Sequence, residues 1–558
     1  MKAGETPLFK MLEGTKQFVI PLFQRTYSWQ KEDWETLWND IVETYEMSDG
    51  RQHFLGSIVN KSLTSTPDNV SPYVVIDGQQ RLTTLTLLLA ALRDVVRPTE
   101  PQLANKLHGQ YLTNAYVSGT DIYKVLPTQA DRPEYFAVID SHPAINQASR
   151  VRQAYEYFHG KCSQTPRTND DQGIDLKRLA EVITNGIELV NITLDEPDNE
   201  YRIFESLNAK GAPLTQADLL RNYFFMNIPP ANGQQDAVYN NVWLPMQQRL
   251  DGALEDFFRY QYLRDGVFVR QGDVYQEWKR HLDKLKLNPA DYTDQLRHLD
   301  HASQYYKRLI DPGTEPNPQI ARRLTRLNRC GGQTMYPFLL YVYERFDKGE
   351  VDATGMVEVL RMIESFLIRR LFVRVPTNAL NRLFLRLSQQ LPSGLDVIEG
   401  TRAALSDPGR RWPRDDEFRQ AIQAYPLYLD SRPDQRKLVL EELDASFGHK
   451  EAFTGYDTLT IEHVMPQSLT DQWRAELGPD ADDVHRRYLH VLGNLTLTGY
   501  NPDLSNKPFT HKKQLLSESN VEMNKLIAKE PEWTETQIVA RGQQLAAQAI
   551  EVWPGPTA

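Results

Sequence analysis

The sequence predicts a multi-domain α+β protein that is predominantly helical. An α/β segment runs to about residue 230, a helical middle to about 400, and a strand, strand, helix unit to the end. Three observations lead there. The chain has 558 residues, room for about three to four domains of roughly 150 residues each, or for two with a large helical spacer. Hydrophobic residues make up 40% and aromatics 10% of it, enough to close real cores and too much for a disordered chain or a rod. The apolar spacing also changes along the chain, from short β-like runs among helical ones to helical spacing alone.

The first segment alternates. FVIPLF from Phe18, HFLGSIV from His53 and YVVIDG from Tyr73 are rich in β-branched and aromatic residues and carry Pro or Gly, the marks of strands. Between the first two, Trp34, Leu37, Trp38, Ile41 and Val42 lie at helical spacing within Trp29 to Tyr45. From Arg81 to Val96, Leu82, Leu85, Leu89, Leu92 and Val96 share one helical face. IELVNITL from Ile187 reads as a buried strand. A helix over Glu200 to Leu207 stops near Asn208 and Gly211, and Thr215 to Asp218 is an N-cap signal that closes the segment near 230. In the middle segment Val359, Ile363, Phe366, Leu367 and Leu371 form a stripe that ends before Pro376. Arg322, Arg326 and Arg329 share a face there, and Arg369, Arg370, Arg374 and Arg382 follow. They read as internal ion pairs or as a surface that tracks phosphates.

Several classes are excluded. The longest apolar run, Leu85 to Leu92, is far short of the ~20 residues that span a bilayer, and the start has no apolar segment of a secretory signal. Cys162 and Cys330 stand far apart with no CxxC partner, so neither a disulfide framework nor a zinc knuckle is built, and a reducing cytoplasm is the expected compartment. The formal net charge is −11, which argues against bulk attraction to nucleic acid but leaves room for a local basic face.

Two stretches carry chemistry. Toward the end, TLTIEHVMPQ from Thr458 reads as a strand closing on Glu462 and His463. HVLGNLTLT from His490 reads as a second strand with Asn494 at its start, and GYNPDLSNKPFTHKKQLL as a loop with Asn501 and Asn506 leading into a basic helix. His, Asn, then Asn, laid out as strand, strand, helix, is the order of a ββα-metal nuclease finger. Phosphodiester hydrolysis needs a base for water, and histidine suits pH 7. It also needs a hard divalent cation with oxygen ligands. His463 is the expected base, Glu462 with Asn501 or Asn506 the expected ligands of Mg²⁺ or Mn²⁺, and Asn494 the brace of the loop that carries His463. Lys507, Lys512 and Lys513 are placed to hold the DNA backbone. Near the start, Asp77-Gly78-Gln79-Gln80-Arg81 reads as a strand-to-helix turn whose free N–H groups, with Arg81, suit an anion, or as a tight turn with Arg81 in a salt bridge.

These phrases closely resemble the GmrSD-type, modification-dependent (type IV) restriction endonucleases. The chain carries all three segments that mark the C-terminal HNH domain of that family: Glu-His-x-x-Pro-Gln, Leu-Gly-Asn-Leu-Thr-Leu and Asn-x-x-Leu-Ser-Asn. It departs from commoner HNH fingers in lacking zinc-binding cysteines and in carrying Asn where many have a last His. IPLFQRTYSWQKEDWETLWNDI, HFLGSIV and VIDGQQRLTTLTLLL are similar to the N-terminal domain of the same family, and ESFLIRRLFVRVPTNALNRLF to its middle.

The resemblance implies three parts: a ParB-like domain over 1–230 that binds nucleotide and senses DNA modification, a helical coupling domain over 231–400, and an HNH endonuclease over 401–558. It implies a metal-dependent nuclease with NTPase activity in anti-phage defence, acting on modified double-stranded DNA with GTP or ATP, and a homodimer as the assembly. Gln24, Arg25, Asp77, Gly78, Gln79, Gln80 and Arg81 become nucleotide or DNA-sensing residues, and Asn208, Gly211, Asp218, Arg221 and Asn222 help shape the pocket. Phe23 and Tyr27 become a hydrophobic wall for a modified base or a phosphorothioate sulfur, against the plainer reading as core. With no GxxxxGK[ST] sequence, the NTPase is not of P-loop type. A phosphorothioate-sensing nuclease of the same family, and a nucleotide-gated DNA-binding regulator with an inactive nuclease domain, are the alternatives.

Overall fold

The computed structural model describes the chain except residues 1, 22, 48–51, 64–69, 165–173, 195–213, 230–233, 393, 449–454 and 557–558. It is 64% helical, with one mixed sheet and one small sheet, and it divides into two compact units. The first comprises 1–245 with 275–296, the second 246–274 with 297–558. Residues 231–400 are thus shared between the units, and 401–558 fold together with most of that segment.

The first unit is built on a six-stranded sheet in the order β1-β6-β3-β4-β2-β5. The strands are β1 (Lys2–Pro7), β2 (Lys16–Val19), β3 (His53–Ser62), β4 (Ser71–Asp77), β5 (Val125–Leu126) and β6 (Ile187–Leu194). β3 runs parallel to β6 and antiparallel to β4, whereas β1 joins the outer edge of β6 antiparallel. The strand expected over FVIPLF stops at Val19, before Pro21, because proline offers no N–H to a ladder. Helix α1 (Lys31–Glu46) starts at a capping box in which the Gln30 N–H donates to Asp33 at 2.8 Å.

Helix α2 (Gln79–Val96) is buried nearly all round, since leucine and alanine occupy most of its faces rather than one stripe. It anchors the core shared with Trp34, Trp38, Ile58, Val75, Leu107, Val151 and Phe158. Thr215 caps helix α3 (Gln216–Met226) through a capping box with Asp218, as its sequence predicts. The helix expected over Glu200 to Leu207, with Asn208 and Gly211, lies outside the described residues.

The turn from β4 into α2 requires glycine. Gly78 has φ +89°, and a Cβ there would stand 2.4 Å from Ile58 Cδ1 and 2.8 Å from the Ser57 carbonyl. The left-handed backbone and the overlap together cost a larger residue about 2–4 kcal/mol. Gly78→Ala is therefore expected to lower the unfolding free energy of the first unit by that amount in urea titration, and an unchanged midpoint would contradict the argument.

The second unit is helical apart from a hairpin of β7 (Thr460–His463) and β8 (Leu495–Thr498). Helix α4 (Pro318–Gly331) carries Arg322, Arg326 and Arg329, the buried helix α5 (Ala353–Phe372) carries Arg369 and Arg370, and Arg374 and Arg382 follow it. Arg326 pairs with Glu364 and Glu442, Arg329 with Glu441, Arg369 with Asp415 and Arg374 with Asp430. Arg370, buried as well, donates to the carbonyls of Arg410 and Pro376. Arg326, Arg329, Arg369 and Arg370 hold the unit together, so internal ion pairs and carbonyl contacts describe them better than a surface that tracks phosphates, whereas Arg322, Arg374 and Arg382 keep exposed side chains. Helix α6 (Asp415–Ala424) and helix α7 (Pro433–Ser446) lead to the hairpin. After β8 come helix α8 (Asn501–Leu504), helix α9 (Phe509–Ser517) and helix α10 (Glu535–Val552). Among the described residues no helix is long and apolar enough to cross a membrane.

Candidate functional site

The hairpin brings the C-terminal phrases into one place. Glu462 is opposite Thr496 and His463 opposite Leu495, so the side chains of Glu462 and His463 leave the ribbon on opposite faces. The strand expected from His490 begins only at Leu495, because Leu492–Asn494 form a single 3-10 turn. That turn aims the Asn494 side chain back under the segment after His463. Its Oδ1 accepts from the Met465 N–H at 2.7 Å and Trp533 Nε1 at 3.1 Å, and its Nδ2 donates to the carbonyls of Met465 at 3.0 Å and Leu489 at 2.9 Å. Asn494 is fully buried and every polar site of its amide is used, which makes it a brace.

His463 is 4% exposed. Its Nε2 lies 3.2 Å from Nδ1 of His490, and the Tyr428 ring meets it edge-on at 4.4 Å. Burial, then the charges of His490, Lys512, His485 and Arg436, push its imidazole down to about 3. At pH 7 the ring is neutral and keeps a lone pair, the state a general base needs. His490, Tyr428, His485 and Arg436 are absent from the sequence-derived set. Only His485 and His490 carried a signal, as histidines spaced along the run that leads into Leu492-Gly493-Asn494.

On the other face, Glu462 meets Lys512 of α9 at 2.5 Å, and Lys512 also donates to the His463 carbonyl at 3.0 Å. Burial pushes the Glu462 carboxyl up and the Lys512 ammonium down, while the contact holds each nearer its charged form. Lys512 is fully buried, so it is an internal partner of Glu462 rather than a contact to a DNA backbone. Lys513 donates to the Glu530 carbonyl at 2.6 Å. Of the three lysines only Lys507 stands exposed.

A divalent cation here would need hard oxygen donors. The Glu462 carboxylate already faces an ammonium inside the core. The Asn501 Nδ2 is tied to Thr460 Oγ1 at 2.9 Å and to the Ile461 carbonyl at 3.1 Å, which leaves its Oδ1 as the oxygen a cation would take, and Asn506 is exposed. Among the described residues no group of three His, Cys, Asp or Glu side chains could hold a metal. As arranged, the Glu462 carboxylate does not fit a divalent cation, because the Lys512 ammonium stands where the cation's charge would.

The N-terminal phrases also converge, chiefly on one another. Gln24 donates to the carbonyls of Val75 at 2.8 Å and Ile76 at 3.1 Å, and Gln80 accepts from the Ser28 N–H at 2.8 Å. Arg81 donates to the Ser57 carbonyl at 2.6 Å and lies 3.6 Å from Asp77, so the salt-bridge reading of the turn holds for its side chain. Tyr27 is core: its hydroxyl meets Thr84 Oγ1 at 2.6 Å and accepts from Trp34 Nε1 at 2.9 Å. Phe23 stacks on Phe225 at 5.8 Å and is 7% exposed, so neither ring forms a wall for a base. Arg221 donates to the Phe23 carbonyl and pairs with Asp218, and Asn222 is buried beside it in the chain. What remains for an anion is the first turn of α2, whose N–H groups have no side-chain cap, together with Gln79 and a half-buried Arg25 that makes no ion pair among the described residues. Free N–H groups at a helix N-terminus suit an anion.

Residues 8–225 match the N-terminal domain of the GmrSD restriction endonucleases, and residues 412–548 match the C-terminal domain of the GmrSD restriction endonucleases. No curated protein matches the chain. The first match spans strands β2 to β6 with α2 and all but the last residue of α3, the second spans the hairpin with His463, Asn494 and the helices that pack on them. Both halves occur in one polypeptide in the order of the family, and the chain belongs to the GmrSD restriction endonucleases, a type IV restriction nuclease family.

Proposed function

We propose that this endonuclease cuts modified DNA through an HNH-like module in which His463 is the general base, under control of a ParB-like N-terminal module that binds and hydrolyses NTP. One observation carries the reading: His463 is held neutral at the end of β7 while Asn494 fixes the segment that follows it. A positioned imidazole with a free lone pair takes a proton from the attacking water; such a base contributes about 10²–10⁴-fold when its pKa lies near the operating pH, and less the further burial pushes it down.

At the other end, the uncapped first turn of α2, with Arg25 and Gln79, would hold nucleotide phosphates, and the bound nucleotide supplies a hydrolysable phosphoanhydride. Mg²⁺ or Mn²⁺ enters as a requirement to be measured, with no protein ligand assigned. The target is base-modified phage DNA, with phosphorothioate DNA the rival substrate, and the assembly is a homodimer.

Plasmid cleavage on unmodified, glucosylated, hydroxymethylated and phosphorothioate DNA tests this, with and without each NTP, with chelator, and beside His463→Ala. Cutting of one modified DNA that falls at least about 100-fold in His463→Ala is the expected result. Undiminished cutting by His463→Ala would remove the base from His463. Intact NTP hydrolysis with no cutting of any DNA would favour a nucleotide-gated DNA-binding regulator.

A further inference from the structure

We propose that His490 is a positioning residue for His463: its Nδ1 accepts the proton on His463 Nε2 and so fixes the tautomer in which His463 Nδ1 is bare. The inference rests on His463 being the general base.

The argument counts nitrogens. His463 Nε2 stands 3.2 Å from His490 Nδ1, so one proton lies between these two atoms. A neutral imidazole carries one N–H and one lone pair. If His490 donated that proton, His463 would carry its own on Nδ1 and would have no free lone pair. A base at His463 therefore requires the opposite assignment, with the proton of His490 on its own Nε2. When His463 takes up a second proton, the same bond becomes charge-assisted and strengthens. That matters here because the charged and titratable groups around the pair disfavour an imidazolium: Arg436 from α7, His485 from the helix before the turn, and Lys512 from α9, with Glu462 beside it in β7 already turned to Lys512.

His490 is held for this role. The Tyr428 ring stacks on it at 5.6 Å with 14° between planes, and the Tyr428 N–H donates to the His490 carbonyl at 3.2 Å. Arg436 lies 4.4 Å from the centre of that tyrosine's ring and donates to its carbonyl. Four residues after His490 stands Asn494, so one short segment carries both the brace of the histidine loop and the acceptor for the histidine itself.

The test uses the full chain labelled with ¹⁵N-histidine, with His463 signals identified by their loss in His463→Ala. In the wild type, His463 is expected to show a protonated Nε2 and a bare Nδ1. His490→Gln keeps an acceptor and is expected to keep that pattern. His490→Phe keeps a ring on Tyr428 but no acceptor, and is expected to show mixed tautomers. On the modified DNA that the wild type cuts, kcat should fall about 100-fold in His490→Phe with KM within about twofold, and should recover to within about tenfold of the wild type in His490→Gln. A wild-type His463 protonated on Nδ1, or an unchanged tautomer in His490→Phe, overturns the proposal. If the wild type cuts no DNA, the nuclease reading falls by itself, and the tautomer signals alone decide whether His490 holds His463.

Discussion

Asn494→Leu is expected to destabilise the second unit by about 4 kcal/mol or more, among the largest effects of any single substitution in the chain. The side chain satisfies four buried groups at once: the N–H and C=O of Met465, the C=O of Leu489 and the indole N–H of Trp533. Leucine fills a similar volume but leaves all four without a partner, at about 1–3 kcal/mol each. Asn494→Asp is the sharper control. It keeps the oxygen that accepts from Met465 and Trp533, but sets a carboxylate oxygen against the carbonyls of Met465 and Leu489, so it should cost about as much. Urea unfolding followed by tryptophan fluorescence reports on this directly, because Trp533 is one of the four partners. An unfolding free energy within about 1 kcal/mol of the wild type would mean that the hairpin does not depend on the brace.

The sequence made the elements legible wherever a local signal decides them. The strand Ile187–Leu194, the apolar spacing of α1, the capped start of α3 and the stripe of α5 follow from periodicity and caps that act within a few residues. β1 was not legible, because KAGETP has little β propensity and becomes a strand only by pairing along β6. The same limit applies at the site. His463 and Asn494 stood out as residue types in a recognisable order, and their roles as centre and brace need only neighbours within the finger. Tyr428 and Arg436 precede His463 by 35 and 27 residues in the numbering and reach it only through the packing of the second unit. For Phe23, Tyr27 and the arginines the sequence offered two readings each, and burial decided for the two rings and for Arg326, Arg369 and Arg370, while for Lys512 it overturned the one reading given: a ring or cation that finds an internal partner is withdrawn from solvent.

The pair Glu462–Lys512 carries the other large expectation, and it bears on the cation. Both groups are buried and 2.5 Å apart. Removing one leaves the other charged in the core, which typically costs 3–5 kcal/mol, whereas replacing both by apolar groups is often close to neutral. Lys512→Met and Glu462→Leu should therefore each lower stability by about 3–5 kcal/mol, and the double variant should recover most of it, a coupling of at least about 2 kcal/mol. Lys512→Met has a second consequence. It frees a buried carboxylate beside the general base, and a divalent cation that binds only the folded chain raises its melting temperature. Mn²⁺ is expected to stabilise Lys512→Met more than the wild type, and to have no such added effect on Glu462→Leu/Lys512→Met. The opposite pattern, with Mn²⁺ stabilising the wild type strongly and Glu462→Gln abolishing the effect, would show that the cation displaces the ammonium from Glu462, and would return that carboxylate to the role of metal ligand that the sequence assigned to it.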